Sequence, residues 1–120
     1  MVVRRVLVVE DDRGVREALV ALLELEGYAV EAVTDGSAAL PIIDAGPPDL
    51  VVSDVSMPGM DGFALLARVR ADYPTLPVLL LSAAFRGPLA DGVDFIPKPF
   101  DVDHLLAAVE RLLAARPPSP

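Results

Sequence analysis

Short apolar runs alternate with polar turns along the chain, and the first of them, Val6-Leu7-Val8-Val9, is closed by Glu10-Asp11-Asp12. A β-branched run of that length bounded by acids predicts a buried strand. Asp12 is placed to cap a helix in which Val15, Leu19, Leu22 and Leu23 recur at helical spacing until Gly27 ends it. Tyr28 to Val33 alternates well enough for a second strand. Asp35-Gly36 then opens a segment, Ser37 to Ala45, with Leu40, Ile42 and Ile43 as apolar contacts. Pro41 lies inside it, where a missing donor and a crowded preceding turn predict a helix that is kinked or starts late. Gly46-Pro47-Pro48 stops it.

The pattern then repeats. Leu50, Val51 and Val52 form a third run ending at Ser53-Asp54, and the turn-rich stretch Met57-Pro58-Gly59-Met60-Asp61-Gly62 leads to a helix from about Phe63 to Tyr73. Val78 to Leu81 is the fourth run and ends at Ser82. Asp94-Phe95-Ile96 is the fifth and weakest, since Pro97 and Pro99 flank Lys98, which suits a strand at a sheet edge. Leu105, Leu106, Val109, Leu112 and Leu113 make an amphipathic stripe for a last helix, and Arg116-Pro-Pro-Ser-Pro reads as a frayed tail or the start of a linker. Five short strands separated mostly by helices predict parallel pairing with right-handed crossovers. The expected class is three-layer α/β, an open sheet with helices on both faces.

Composition narrows the functional classes. The 120 residues fit one domain, without internal repeat, and at 53% apolar they can bury a core. A formal net charge of −8, with Lys98 the only lysine, argues against binding nucleic acid directly through a basic face. The absence of Cys removes disulfides and thiolate metal sites. No run approaches the roughly 20 apolar residues of a membrane span, and the acids following the first strand do not suit a signal peptide, so the expected location is cytoplasmic.

In open parallel sheets ligands bind beyond the carboxyl ends of the strands. Here those ends carry Glu10-Asp11, Asp54, Ser82 and Lys98. Three carboxylates brought close repel one another, each pair by about 4 kcal/mol at about 4 Å for an effective dielectric near 20. A cation is therefore expected, and an all-oxygen donor set suits a hard divalent ion, Mg²⁺ or Mn²⁺. With Lys98 as a fixed positive charge, the set best supports phosphoryl transfer to Asp54 as nucleophile, Ser82 donating to a phosphoryl oxygen. The backbone carbonyl of Ser56, two residues past Asp54, can complete the metal shell.

The motifs VLVVEDD, DVSMPGMDG, LLLSA and KPF, in this order and at close to the usual spacing, resemble the receiver domain of two-component response regulators. The resemblance spans essentially the whole chain. It implies a flavodoxin-like (βα)5 fold with strand order 2-1-3-4-5 and a receiver domain over residues 1–116, with 117–120 as tail or linker. It also implies phosphorylation of Asp54 by a sensor histidine kinase or phosphotransfer protein in phosphorelay signalling. By motif, Asp11 is the direct metal ligand and Glu10 acts through water; Lys98 and Ser82 contact the phosphoryl group. Phe95 occupies the aromatic switch position. Glu10 stands where Asp is more frequent. Only fifteen residues separate Ser82 from Lys98, fewer than the family usually has, so its fourth helix is expected to shrink to an irregular turn or short scrap. That puts the family's common signalling face, and any dimer built on it, in question.

Each residue also has a plainer reading. Acids after a strand are often only helix caps, as Asp12 is expected to be, and an isolated lysine is usually a solvated surface charge. Their convergence on the strand ends of one sheet overrides this. Phe100 reads as core packing, and His104 begins the last helix away from the acids, which argues against a phosphodonor role. Two other functions fit the fold: a small Mg²⁺-dependent phosphohydrolase, and a flavin mononucleotide binder. The first lacks a visible substrate pocket or second general acid, and the second would want a phosphate-cradling loop where the acids stand.

Overall fold

An aspartate precedes every helix among the described residues. The computed structural model describes residues 3–82 and 92–115. Asp12, Asp35 and Asp61 each accept the amide N–H three residues on, at 2.8 to 3.0 Å, and cap α1 (Arg13–Leu25), α2 (Gly36–Ala45) and α3 (Gly62–Asp72). Asp101 caps α4 (Val102–Ala114) through the Asp103 amide. Each cap satisfies a donor that the first helical turn leaves without an internal partner. At the other end of α1, Gly27 takes a φ of 93°, and the amides of Gly27 and Tyr28 return to the carbonyls of Glu24 and Leu23. Only a residue without a side-chain branch enters that left-handed conformation freely, so the helix turns there into the next strand.

The strands are β1 (Arg5–Val9), β2 (Ala29–Val33), β3 (Leu50–Asp54), β4 (Val78–Ser82) and β5 (Val93–Pro97). They pair in parallel in the order β2-β1-β3-β4-β5, as expected. β1, β3 and β4 lie inside the sheet and have almost wholly buried side chains on both faces, which explains their unbroken apolar runs. Val6, Val8, Leu50, Val52, Leu79, Leu81 and Ile96 pack against α1 and α4. Leu7, Val9, Val51, Val78 and Leu80 pack against α2 and α3. Each large apolar side chain buried this way contributes about 1.5–3 kcal/mol relative to exposure.

Two proline-bearing elements have a physical explanation. Lys98 donates its amide to the Ser82 carbonyl at 2.9 Å, so the neighbouring nitrogen of Pro97, which has no hydrogen, faces the free edge of the sheet. Helix α2 starts immediately after its cap at Gly36 and continues through Pro41, so the late start is not observed. Its buried residues are Gly36, Ala39 and Ile43, while Pro41 is exposed, and the packed face carries the helix past one missing bond. Tyr28 belongs to the turn before β2 rather than to the strand. The expected shortening of the family's fourth helix concerns residues 83–91, which lie outside the described residues, as does the tail from residue 116.

Two further contacts hold the frame. Buried Asp49 and Arg5 exchange hydrogen bonds of 2.8 Å that join the starts of β1 and β3. The Arg111 guanidinium pairs with Asp94 and ties α4 to β5. Among the described residues no helix is long and apolar enough to cross a membrane.

Candidate functional site

Strand register brings the acids together. Val9 lies opposite Ser53, so the next residues along, Glu10 and Asp54, are neighbours at the carboxyl edge of the sheet. Both continue the alternation that sends Val6, Val8, Leu50 and Val52 toward α1 and α4. Asp54 lies opposite Leu81 and Ser82 opposite Pro97, which places Lys98 just past the same edge.

The Lys98 Nζ lies 3.0 Å from Glu10 Oε1 and 3.3 Å from Asp54 Oδ2. One oxygen of each of Glu10, Asp11 and Asp54 lies within 4.8 Å of the others. Glu10 is fully buried, Asp54 is 5% exposed and Asp11 is exposed. Burial pushes the Glu10 carboxyl above its ordinary value and the Asp54 charge adds to this; Lys98 and the Asp12 amide oppose it and lose. For the Lys98 ammonium burial works downward, but the hydrogen bond and charge of Glu10 and the charge of Asp54 outweigh it and hold it above its ordinary value. With all three carboxylates ionised, one ammonium leaves an excess of two negative charges in a partly desolvated crevice, which is the state that the raised Glu10 value resists.

This donor set fits a hard divalent cation. All its candidate ligand atoms are oxygens, and the uncompensated charge matches a dication. Both Glu10 oxygens are already engaged, Oε1 by Lys98 and Oε2 by the Asp12 amide at 3.1 Å. Asp11 and the second oxygen of Asp54 are open to a cation, whereas each Glu10 oxygen already has a partner.

The remaining expected residues lie around this cluster. Ser82 is buried at the end of β4, and its carbonyl receives the Lys98 amide. Phe95, opposite Leu80, packs half-buried on the α2 and α3 side of the sheet. Ser56 is exposed after β3, in an open concavity shared with Met57, Pro58 and Phe63. His104 is exposed on the first turn of α4. The Lys98–Pro99 peptide is cis.

Two residues that sequence reasoning did not single out support the site. Gly62 closes the turn-rich stretch that precedes α3. A Cβ on it would lie 2.4 Å from the Asp54 carbonyl oxygen and 2.8 Å from the Val55 Cα, so only glycine lets α3 begin this close to the acid-bearing strand. Arg16 donates from Nη1 to the carbonyls of Glu10 and Asp11. The signal for Gly62 was its place directly after a capping aspartate; Arg16, whose partners are backbone atoms, left none.

These features define a class first: a five-stranded, doubly wound α/β domain with an acidic crevice at the carboxyl edge of its sheet. The chain belongs to the response regulator receiver domain family, whose model matches residues 6–110. The response regulator MprA of Mycolicibacterium vanbaalenii is 42% identical, over 95% of this chain and 52% of that protein. The response regulator protein FleR of Pseudomonas aeruginosa is 45% identical, over 89% of this chain and 24% of that protein. This chain thus spans about half the length of the first and a quarter of the second. Among solved structures, the signal receiver domain of a signal transduction histidine kinase from Syntrophus aciditrophicus aligns with a TM-score of 0.86 at 36% identity, covering 98% of this chain and 95% of that one. Chemotaxis protein CheY4 of Vibrio cholerae aligns with a TM-score of 0.84 at 29% identity, covering 92% and 99%.

Receiver domains are signalling modules of two-component systems. Their general function is to be phosphorylated on an aspartate; they bind Mg²⁺ through acidic residues and interact with histidine kinases or phosphotransfer proteins.

Proposed function

We propose that Asp54 of this chain is the phosphoacceptor, in a reaction that depends on Mg²⁺ held by Asp11, Asp54 and the Ser56 backbone carbonyl, with Glu10 acting through water. The observation that carries this reading is the near-buried Asp54 carboxylate, in contact with one ammonium inside a cluster short of two positive charges. A sensor histidine kinase or phosphotransfer protein presents a phosphohistidine. An Asp54 carboxylate oxygen attacks its phosphorus, the phosphorus–nitrogen bond breaks, and the imidazole leaves with the electron pair. Bound Mg²⁺ supplies positive charge to the phosphoryl oxygens.

The protein's own groups do the rest. Lys98 is already within reach of Asp54, and its ammonium can pair with a phosphoryl oxygen once that group is attached. The Ser82 hydroxyl donates to another oxygen, and Phe95 responds by changing its packing, which alters the surface offered to a downstream effector of unknown identity. Slow self-hydrolysis returns Asp54 to the free acid. The receiver occupies residues 1–116, with 117–120 as tail or linker, and works in the cytoplasm.

Incubation with a radiolabelled acyl phosphate tests the reading. One phosphate per chain is expected, only with Mg²⁺, and Asp54→Asn should remove it while the circular dichroism spectrum is retained. Labelling that survives Asp54→Asn would assign the acceptor elsewhere. Multiple turnover on a phosphoester would make the protein a phosphohydrolase instead.

A further inference from the structure

Arg16 closes the first turn of α1, and helical side chains lean toward the N-terminus of their helix, so a long one here reaches back over the turn between β1 and α1. Its Nη1 lies 3.1 Å from the Glu10 carbonyl oxygen and 3.3 Å from that of Asp11. Its backbone amide donates to the Asp12 carbonyl at 2.9 Å. One residue thus holds three successive carbonyls of the segment that carries the acids. Arg16 is half-buried as a residue and, among the described residues, forms no ion pair.

The two acids differ in how they are held. The Glu10 carboxylate is fixed through its own oxygens by Lys98 and the Asp12 amide. Asp11 is exposed, and the direction of its side chain follows from the backbone of the turn. A cation at Arg16 has two opposite effects on a dication in the crevice: its charge repels the ion, while its grip on the turn aims Asp11 at it.

We propose that the second effect wins and that Arg16 is a positioning residue for the metal-binding acids, acting through the Glu10 and Asp11 carbonyls. This rests on the Mg²⁺ site described under the proposed function. The two effects predict opposite signs, which makes the inference decidable. Positioning residues behind a metal's ligands commonly change affinity by about 10- to 100-fold. Loss of the clamp should therefore weaken Mg²⁺ binding about tenfold, whereas loss of the charge alone should tighten it.

Calorimetric Mg²⁺ titration of the full chain tests this, with amide NMR spectra recorded for each variant. Arg16→Ala should weaken binding about tenfold and shift chiefly the amides of residues 10–12. Arg16→Lys, which keeps a donor, should recover part of the loss. Arg13→Ala removes the same charge from the same helix, but Arg13 is exposed and pairs only with Glu17 at 2.9 Å among the described residues, so binding should stay within about twofold of wild type. If Arg16→Ala proves unfolded, Arg16→Met, which keeps a long stem without a donor or a charge, takes its place beside Arg16→Lys. Normal wild-type binding with unchanged or tighter binding in the variant that lacks a donor at position 16 overturns the inference and leaves the site intact. A wild-type chain that takes up no Mg²⁺ overturns the site itself.

Discussion

Glu10 is fully buried, yet it carries the carboxylate whose charge the fold disfavours, since burial and Asp54 together raise its pKa above the ordinary value of 4.5. The folded chain therefore keeps this proton at pH values where the unfolded chain has released it. Stability from this group is complete below pH 4.5 and is lost as pH rises through the folded value, at no more than about 1.4 kcal/mol per pH unit for one proton. Urea unfolding without metal, from pH 4 to pH 7, should show this decline in wild type relative to Glu10→Gln, which cannot titrate. Parallel curves for the two proteins across that window would mean that the desolvation of Glu10 is compensated elsewhere. The penalty is also what a bound dication would relieve.

At the scale of elements, α2 separates what was legible in the sequence from what was not. Its cap, Asp35, and its stop, Gly46-Pro47-Pro48, were visible, but Pro41 suggested a kink or a late start, and the helix does not start late. A proline's penalty is local, whereas what offsets it is the burial of Ala39 and Ile43 against the sheet, and which face is buried emerges only with the fold. Pro41→Ala should restore the missing bond to the Ser37 carbonyl. An interior proline costs about 3 kcal/mol relative to Ala, and the freer unfolded chain gives back up to about 1 kcal/mol, so a net gain of about 2–3 kcal/mol is expected in urea unfolding. A loss would mean that the ring's own packing matters more. The inner strands were legible because burial on both faces leaves unbroken apolar runs, and the strand ends then pointed to Glu10, Asp11, Asp54 and Lys98. Arg16 and Gly62 were not legible. The first acts on carbonyls, which every residue has, and the second is required by a contact with Asp54 that exists only after α3 has folded back over β3.

At the scale of the molecule, two cores lie on opposite faces of one sheet and the acidic crevice sits at its edge. Asp54 continues the face toward α1 and α4, while Phe95 packs on the face toward α2 and α3, so the proposed switch would have to carry a change at Asp54 across the sheet. Among the described residues, the β4–β5 pairing, where the Ser82 carbonyl holds the Lys98 amide, joins the two strands that carry Phe95 and border Asp54. The chain also carries a net charge of −8, and any salt will screen that diffuse repulsion. A specific site makes a different demand: ligand binding to the folded state alone stabilises it by about 2.7 kcal/mol at about 100 times the dissociation constant. Thermal unfolding in Mg²⁺ and in NaCl of matched ionic strength separates the two. Mg²⁺ should raise the midpoint of wild type well beyond the NaCl value, and the surplus should vanish in Asp11→Asn and Asp54→Asn. An equal rise in both salts would mean that the acids act as part of the general charge and hold no ion. The surplus should also grow as pH rises above 4.5, since burial and Asp54 make Glu10 harder to deprotonate without metal and a dication in its crevice eases that loss.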